Sequence, residues 1–318
     1  MSISIAAPYR GGLATPSFLY RPETRGIALG LIASVIWGSY LALSRAGVSS
    51  GLHATDIAAL RFGVAGIIML PWLLRHYAST ARDISMTRAL ALSAVAGPLF
   101  IVIGVGGYIF APLAHGAVVQ PAAVTLGSIG LAYFVLGDRP TSSRVIGIGI
   151  ILCGLAIIAG PSLLASGAST AIGDLMFMSA GLMWALFAVF SKRWGVSPVA
   201  GTAVVSVLSA VVFVPVYVLV IGPERLLAIS WQMFAAQVVV QGVLSGVIAV
   251  IAFSAAVRIL GVGRASVFPA MVPAFAIAIG APITGELPTM LQFGGLAIVT
   301  VGLLAAIGVL TLPRKSMA

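Results

Sequence analysis

Residues 89–137 read ALALSAVAGPLFIVIGVGGYIFAPLAHGAVVQPAAVTLGSIGLAYFVLG, a stretch that contains no Asp, Glu, Lys or Arg. A single helix over this stretch would measure about 73 Å at about 1.5 Å per residue, more than twice the thickness of the hydrocarbon core of a bilayer. The stretch therefore predicts two membrane spans, divided near Phe110-Ala111-Pro112 because a proline can begin a helix. The rest of the chain agrees, since 60% of its 318 residues are hydrophobic and 8% are charged, whereas soluble domains carry about 25% charged residues.

Similar charge-free stretches on both sides of residues 89–137 extend the pattern along the chain. Dividing them at turns and charges predicts an all-α membrane protein with ten transmembrane helices. The predicted spans are residues 26–46, 55–75, 88–110, 113–137, 143–160, 173–192, 198–221, 232–256, 263–283 and 289–310. Residues 1–25 lack the apolar core of a signal peptide, so we expect a polar tail there. The single cysteine, Cys153, excludes a disulfide scaffold.

The basic residues predict the orientation of these spans. If the N-terminus is cytoplasmic, 14 of the 17 bases fall in the tails and loops of the cytoplasmic side, two fall on the opposite side and Arg61 lies within a span. Bases accumulate on the cytoplasmic side of membrane proteins, so we expect both termini in the cytoplasm. The net charge of +10 is thereby explained by topology, and we expect no nucleic-acid partner.

The two halves of the chain resemble each other in sequence. At shifts of 147 or 148 residues, the matched features are Trp37 with Trp184, Pro121 with Pro269, and Gly137–Thr141 with Gly285–Thr289. Each half has five predicted spans, an odd number, so the two repeats would be inverted relative to each other. Inverted repeats are typical of secondary transporters, whose binding site lies near the midplane where the repeats meet.

These motifs resemble the EamA unit of the drug/metabolite transporter superfamily. The likeness rests on the proline-bearing fourth helix, on the Gly-(Asp/Glu)-x-Pro-Thr turn that leads into a glycine-rich fifth helix, and on Arg61-Phe62 in span 2. It covers about residues 26–311 and implies a ten-helix carrier of the bacterial inner membrane, with a central cavity lined by spans 1–4 and 6–9. Among such carriers, an exporter of amino acids, aromatic or broad in range, is the nearest likeness.

The predicted organisation follows from the repeats. The N-terminal tail is residues 1–25, the first five-helix repeat 26–160, a linker 161–172, the second repeat 173–311 and the C-terminal tail 312–318. The expected partners are a small-molecule substrate and the lipid bilayer. The glycine rows of spans 5 and 10 indicate close helix packing within the chain, and we favour a monomer over a dimer.

Aromatic side chains near the middle of the membrane are the first candidates for a substrate-binding cavity. Trp37 and Trp184 each lie about 11 residues into their spans, too deep for the aromatic belt at the membrane surface. Tyr40 lies one turn after Trp37, and Met183 and Phe187 flank Trp184. Two aromatic patches facing each other would accept a flat or apolar side chain, or an organic cation over a ring. The alternative is simple helix packing.

Arg61 has two interpretations. It can extend toward the outer interface and Asp56, or it can pair with a substrate carboxylate in a cavity, because charges within the membrane are costly and usually face one. The other polar or aromatic candidates for the cavity are Tyr108, His115, Gln120, Gln241 and Ser266. The candidate helix kinks or hinges are Pro98, Pro121, Pro269 and Pro273. For these residues a helix-packing role is the alternative.

The sequence also lacks several kinds of functional site. We expect no carboxylate in the middle of a span, with Asp56 and Asp174 at outer ends, so His115 is the one candidate proton carrier in the membrane. No metal cluster, phosphate-binding loop or hydrolase motif is found, and we predict no cofactor, no metal, no catalytic residue and no enzyme activity.

The predicted function is secondary export of amino acids, with related metabolites or toxic organic cations as further cargo, by alternating access through the central cavity. One alternative is an exchanger of phosphate esters or nucleotide sugars. Another, of a different class, is a membrane sensor or assembly subunit that transports nothing.

Overall fold

The computed structural model describes residues 22–111, 113–164, 168–284 and 290–306. Helices account for nearly all of these residues, and no strand occurs among them. The α-helices are α1 Pro22–Ser49, α2 Ala54–Arg75, α3 Tyr77–Asp83, α4 Met86–Ala96, α5 Pro98–Gly106, α6 Leu113–Leu136, α7 Ser142–Leu164, α8 Ala168–Arg193, α9 Pro198–Val216, α10 Glu224–Ala228, α11 Trp231–Gln237, α12 Ala249–Leu260, α13 Val262–Ala265, α14 Val272–Thr284 and α15 Met290–Ala306. Two π-helical stretches, Tyr217–Ile221 and Val238–Ile248, and two 3₁₀ turns, Gly107–Ile109 and Phe268–Met271, complete the helices.

Among the described residues, eight helical segments are long and apolar enough to cross a membrane. They are Pro22–Ser49, Ala54–Arg75, Met86–Ile109, His115–Leu136, Ser169–Arg193, Pro198–Ile221, Trp231–Leu260 and Val262–Ile283. Two shorter apolar helices, Ser142–Ile157 and Phe293–Ala306, lie where the sequence predicts spans 5 and 10. The predicted class of an all-α membrane protein is confirmed, while the count of ten spans stays a prediction.

The junction between the two halves is largely helical, while the predicted division into repeats and linker stays a prediction. Helix α7 continues to Leu164 and α8 begins at Ala168, so most of the predicted linker 161–172 is helical. A Gly-Pro pair usually marks a turn, but membrane helices tolerate proline because neighbouring groups satisfy the freed carbonyl. Asp174 lies in the second turn of the span Ser169–Arg193. The predicted tails, apart from Pro22–Arg25 at the start of α1, and the second turn Gly285–Thr289 lie outside the described residues.

Three of the four candidate hinge prolines lie at helix breaks. Helix α4 ends at Ala96 and Pro98 begins α5, while Pro269 lies in the 3₁₀ turn and Pro273 in the first turn of α14. Pro121 differs, because α6 runs through it without a break. The broken helices therefore lie in the third and ninth predicted spans.

Helices α7 and α15 pack against each other along their glycines. A Cβ atom on Gly147 would lie 2.5 Å from the backbone nitrogen of Ala306 and 2.7 Å from the carbonyl oxygen of Gly302. Gly154 meets the backbone of Gly295 at 2.8 Å in the same way. The two glycine rows are thus used for contact within the chain, as the sequence indicates, because only glycine permits this approach of two backbones.

We predict that Gly147→Ala destabilises the protein whereas Gly149→Ala does not. A Cβ on Gly149 meets nothing within 4 Å, so alanine there should be neutral or gain up to about 1 kcal/mol of helix propensity. At Gly147 the added methyl group forces the helices apart, and overpacking of this kind costs about 1–3 kcal/mol. Thermal unfolding of both variants in detergent measures the difference. Equal melting temperatures would contradict the α7–α15 contact.

Candidate functional site

A small, mostly apolar cavity lies among helices from both halves of the bundle. Helices α1, α2, α5, α6 and α8 contribute to its wall, together with the broken helix at Pro269 and Val272. Both halves of the chain therefore line it. Seven residues selected from the sequence are present, namely Trp37, Tyr40, Arg61, Gln120, Pro121, Trp184 and Pro269. The sequence analysis missed Leu41, Phe100, Val124 and Val272.

The aromatic side chains form one continuous cluster instead of two separate patches. The ring centroids of Trp37 and Trp184 are 5.3 Å apart, and the two planes are nearly perpendicular at 87°. Phe100 and Phe187 lie 5.3 Å and 5.0 Å from Trp184, and Phe253 lies 5.0 Å from Trp37. The two indoles therefore contact each other directly, and a flat ligand cannot lie between them in this conformation.

Arg61 is buried beside the aromatic cluster. Only 2% of the residue is exposed, and its guanidinium donates to Ser245 Oγ at 2.6 Å and to the Ser245 carbonyl at 3.1 Å. The guanidinium carbon lies 5.4 Å from the centre of the Tyr40 ring. Among the described residues, no carboxylate lies within ion-pair distance of Arg61. Extension toward Asp56, the alternative interpretation, is not observed.

Ser245 reaches Arg61 because of the irregular helix that carries it. The residue lies in the π-helical stretch Val238–Ile248, and π-helical turns are frequent at functional sites. Gly242 packs against the Val64 side chain, and Gly246 lies beside Ala65 and the Arg61 carbonyl. The Gly-x-x-x-Gly spacing, which permits close helix contact, is the signal in the sequence from which this partner could have been found.

The other predicted site residues lie outside the cavity lining. Gln241 Nε2 donates to Ser44 Oγ at 3.0 Å, Ser266 Oγ donates to the Gly263 carbonyl at 3.0 Å, and the Tyr108 ring packs 4.9 Å from Phe177. His115 Nδ1 lies 2.9 Å from Asp174 Oδ1. Met183 packs against the core at its edge. Phe187 touches Trp184 but lines a separate small crevice with Arg61.

An ion pair between buried Asp56, near the N-terminus of α2, and partly exposed Arg225 was not predicted as a site. Asp56 is fully buried and accepts hydrogen bonds from Arg225 at 2.7 Å and 3.1 Å and from the Tyr217 hydroxyl at 2.8 Å. The bond to Asp56 raises the pKa of Arg225, so this pair stays charged. The cluster joins α2 to α10 across the bundle end. Asp56 is therefore paired with Arg225, and Arg61 lines the cavity without a carboxylate partner among the described residues.

The described residues contain no group of three His, Cys, Asp or Glu side chains that could hold a metal ion. What the cavity offers is an aromatic wall beside one guanidinium. Such a site can bind a small solute whose anionic group pairs with the guanidinium and whose apolar or aromatic part packs against the aromatic wall.

Comparisons with known proteins place this fold among transporters. The curated "Uncharacterized transporter YyaM" of Bacillus subtilis (strain 168) is 25% identical over 270 residues, which cover 81% of this chain and 85% of that protein. A solved crystal structure is similar with a TM-score of 0.68 at 17% identity, over 88% of this chain and 96% of its own, and this likeness concerns the fold alone. The EamA-like transporter family matches residues 24–160 and 171–308. With nearly all of its described helices inside these two matches, the chain belongs to the EamA-like transporter family of the drug/metabolite transporter superfamily.

Proposed function

We propose that the protein is a secondary transporter that exports amino acids, chiefly aromatic or apolar ones, through the central cavity. The observation that carries this proposal is the buried guanidinium of Arg61, which has no carboxylate partner among the described residues. A buried charge is costly unless it is paired, and within a membrane such a charge usually marks the path of a substrate or ion. The carboxylate of an amino acid would supply the missing partner.

The aromatic cluster supports the apolar part of the substrate. Trp37, Tyr40 and Trp184 line the same cavity as Arg61. An aromatic or aliphatic side chain would pack against these rings while its carboxylate meets the guanidinium. To admit a bulky side chain, the direct contact between Trp37 and Trp184 would open.

Hydrogen bonds between the two halves support alternating access. Between the middle of the spans and the predicted cytoplasmic end, Ser34 Oγ donates to the Phe268 carbonyl at 2.8 Å, and Thr125 Oγ1 donates to the Ser266 carbonyl at 2.9 Å. Toward the opposite end, Gln237 Nε2 donates to the Leu43 carbonyl at 2.7 Å and Gln241 Nε2 to Ser44 Oγ at 3.0 Å. The ion pair of Asp56 with Arg225 also joins the two halves at that end. In alternating access, the contacts of the two sets would break in turn as the repeats rock against each other.

The same residues disfavour the alternative substrates. A toxic organic cation would meet like charge at Arg61. A phosphate ester or nucleotide sugar carries about two negative charges and would require several bases, whereas Arg61 is the one base in the cavity lining that the structure describes. Family membership disfavours a sensor or assembly subunit.

Counterflow into proteoliposomes tests the proposal. Vesicles loaded with unlabelled phenylalanine should accumulate external labelled phenylalanine several-fold above protein-free vesicles, whereas vesicles loaded with UDP-glucose or ethidium should not accumulate the corresponding label. A pH gradient in a parallel series tests His115 as a proton carrier. Absence of counterflow for every amino acid would refute amino-acid transport, and counterflow of UDP-glucose alone would establish the exchanger instead.

A further inference from the structure

A second opening, which we name the basic basin, lies at the predicted cytoplasmic end between the two repeats. It is open to solvent and lies among the end of α6, the start of α7, the end of α8 and the junction of α12 with α13. The charged residues in its wall are five bases and one acid, namely Arg139, Arg144, Lys192, Arg193, Arg264 and Asp138. The basin therefore has a strong positive charge, unlike the central cavity.

Arg144 is the residue that distinguishes the basin from an ordinary basic loop. It lies in the first turn of α7, and only 8% of it is exposed. Its one carboxylate contact among the described residues is Asp138 at 3.5 Å, and its Nε has no hydrogen-bond partner there. Buried N–H groups are nearly always hydrogen-bonded. The preference for bases on the cytoplasmic side explains exposed arginines, but it does not explain a buried one with an unused donor.

Of the neighbouring bases, Arg264 forms an exposed ion pair with Glu23 at 3.2 Å, whereas Lys192 and Arg193 have no carboxylate partner among the described residues. Lys192 Nζ donates to the Arg258 carbonyl at 3.1 Å, and Arg193 donates to the Val135 carbonyl at 3.0 Å. These acceptors are backbone carbonyls, so both side chains are held in place and keep their net charge. The N-terminus of α7, where Thr141 Oγ1 accepts from the Arg144 backbone at 3.3 Å, adds the positive end of a helix dipole.

We propose that the basic basin binds a phosphate group, supplied by the headgroup of an anionic phospholipid or by free phosphate. Basic pockets between membrane helices on the cytoplasmic side are typical sites for anionic headgroups, and helix N-termini bind phosphate. The basin is open to solvent and far larger than a single water molecule, so a hydrated phosphate group has room in it.

Binding in the basin would also influence the two repeats. Arg139 and Arg144 belong to the first repeat, whereas Lys192 and Arg264 belong to the second. A phosphate held by both would link them at this end and favour the conformation in which the bases converge. This inference is independent of the substrate proposed for the central cavity.

Thermal unfolding of the full chain in a neutral detergent tests the proposal, with phosphatidylglycerol, phosphatidylcholine and inorganic phosphate as probes. Two variants are compared with wild type, Arg139→Gln and the double variant Arg139→Gln/Arg144→Gln. The control is Arg75→Gln/Arg82→Gln, which removes two charges from the same predicted face outside the basin. Arg139 is exposed and has no side-chain partner among the described residues, so the single variant should fold normally.

We expect phosphatidylglycerol to raise the melting temperature of wild type and control more than phosphatidylcholine does. The single variant should bind measurably more weakly, and the double variant at least about tenfold more weakly, because hydrogen bonds to charged groups contribute this much or more. Stabilisation by inorganic phosphate without phosphatidylglycerol would support the site with free phosphate as its ligand. Equal stabilisation of all variants by every probe, or no stabilisation of wild type, would overturn the proposal.

Discussion

Arg61→Gln is expected to reduce amino-acid counterflow about 100-fold or more while the protein remains folded. In the substrate complex proposed here, a carboxylate pairs with a guanidinium that is 2% exposed. Removing one partner of a buried ion pair costs about 3–5 kcal/mol, because the carboxylate would then be buried with no opposite charge. Arg61→Lys should be intermediate, since an ammonium keeps the charge but lacks the two-pronged geometry of a guanidinium.

The control for this prediction lies on the same helix. Arg75 is exposed at the last turn of α2 and away from the cavity, so Arg75→Gln should transport at the wild-type rate. Because Arg61 bonds only to Ser245 among the described residues, its loss should leave the melting temperature close to that of wild type. Wild-type counterflow in folded Arg61→Gln would remove the basis for a carboxylate substrate.

The second large effect is expected at Trp184. This indole is 3% exposed and touches Trp37, Phe100 and Phe187. Trp184→Ala should raise the KM for phenylalanine about tenfold or more but change that for alanine much less, because aromatic pairs contribute about 0.5–1.5 kcal/mol beyond the burial of their area. Trp184→Phe should retain most of the affinity.

Truncating a buried tryptophan also destabilises the fold, by about 3–5 kcal/mol, so KM and thermal stability must be measured together. Trp231→Ala is the matched control, since Trp231 is 74% exposed and distant from the cavity lining. A folded Trp184→Ala protein with an unchanged KM for phenylalanine would show that the aromatic cluster is only part of the helix packing.

The spans could be predicted from the sequence because the bilayer imposes a simple rule of length and charge. Charge-free stretches of about 20 residues predict the helices, and the cavity residues Trp37, Trp184 and Arg61 are conspicuous because tryptophan and arginine are unusual at such depth. The helical conformation of much of the predicted linker 161–172 could not be read from the sequence. The Gly160-Pro161 pair favours a turn locally, but α7 continues through it to Leu164.

The partners of these residues could not be predicted in the same way. Phe253 and Ser245 are unremarkable in a sequence with 14 phenylalanines and many serines. Their roles depend on how α12 and the π-helical stretch Val238–Ile248 are rotated, and a π-helix changes the face that each following side chain presents. His115 was selected as the one candidate proton carrier in the membrane, but its contact with Asp174 depends on how α6 and α8 pack against each other.

The central claim is that Arg61 in the cavity receives the carboxylate of an amino acid. The most direct measurement compares labelled phenylalanine with labelled phenethylamine, which has the same ring and amine but no carboxylate, in counterflow through wild-type protein and Arg61→Gln. The account predicts flux of phenylalanine through wild type only, and no flux of phenethylamine through wild type. Equal flux of the two compounds through wild type, unaffected by Arg61→Gln, would contradict it.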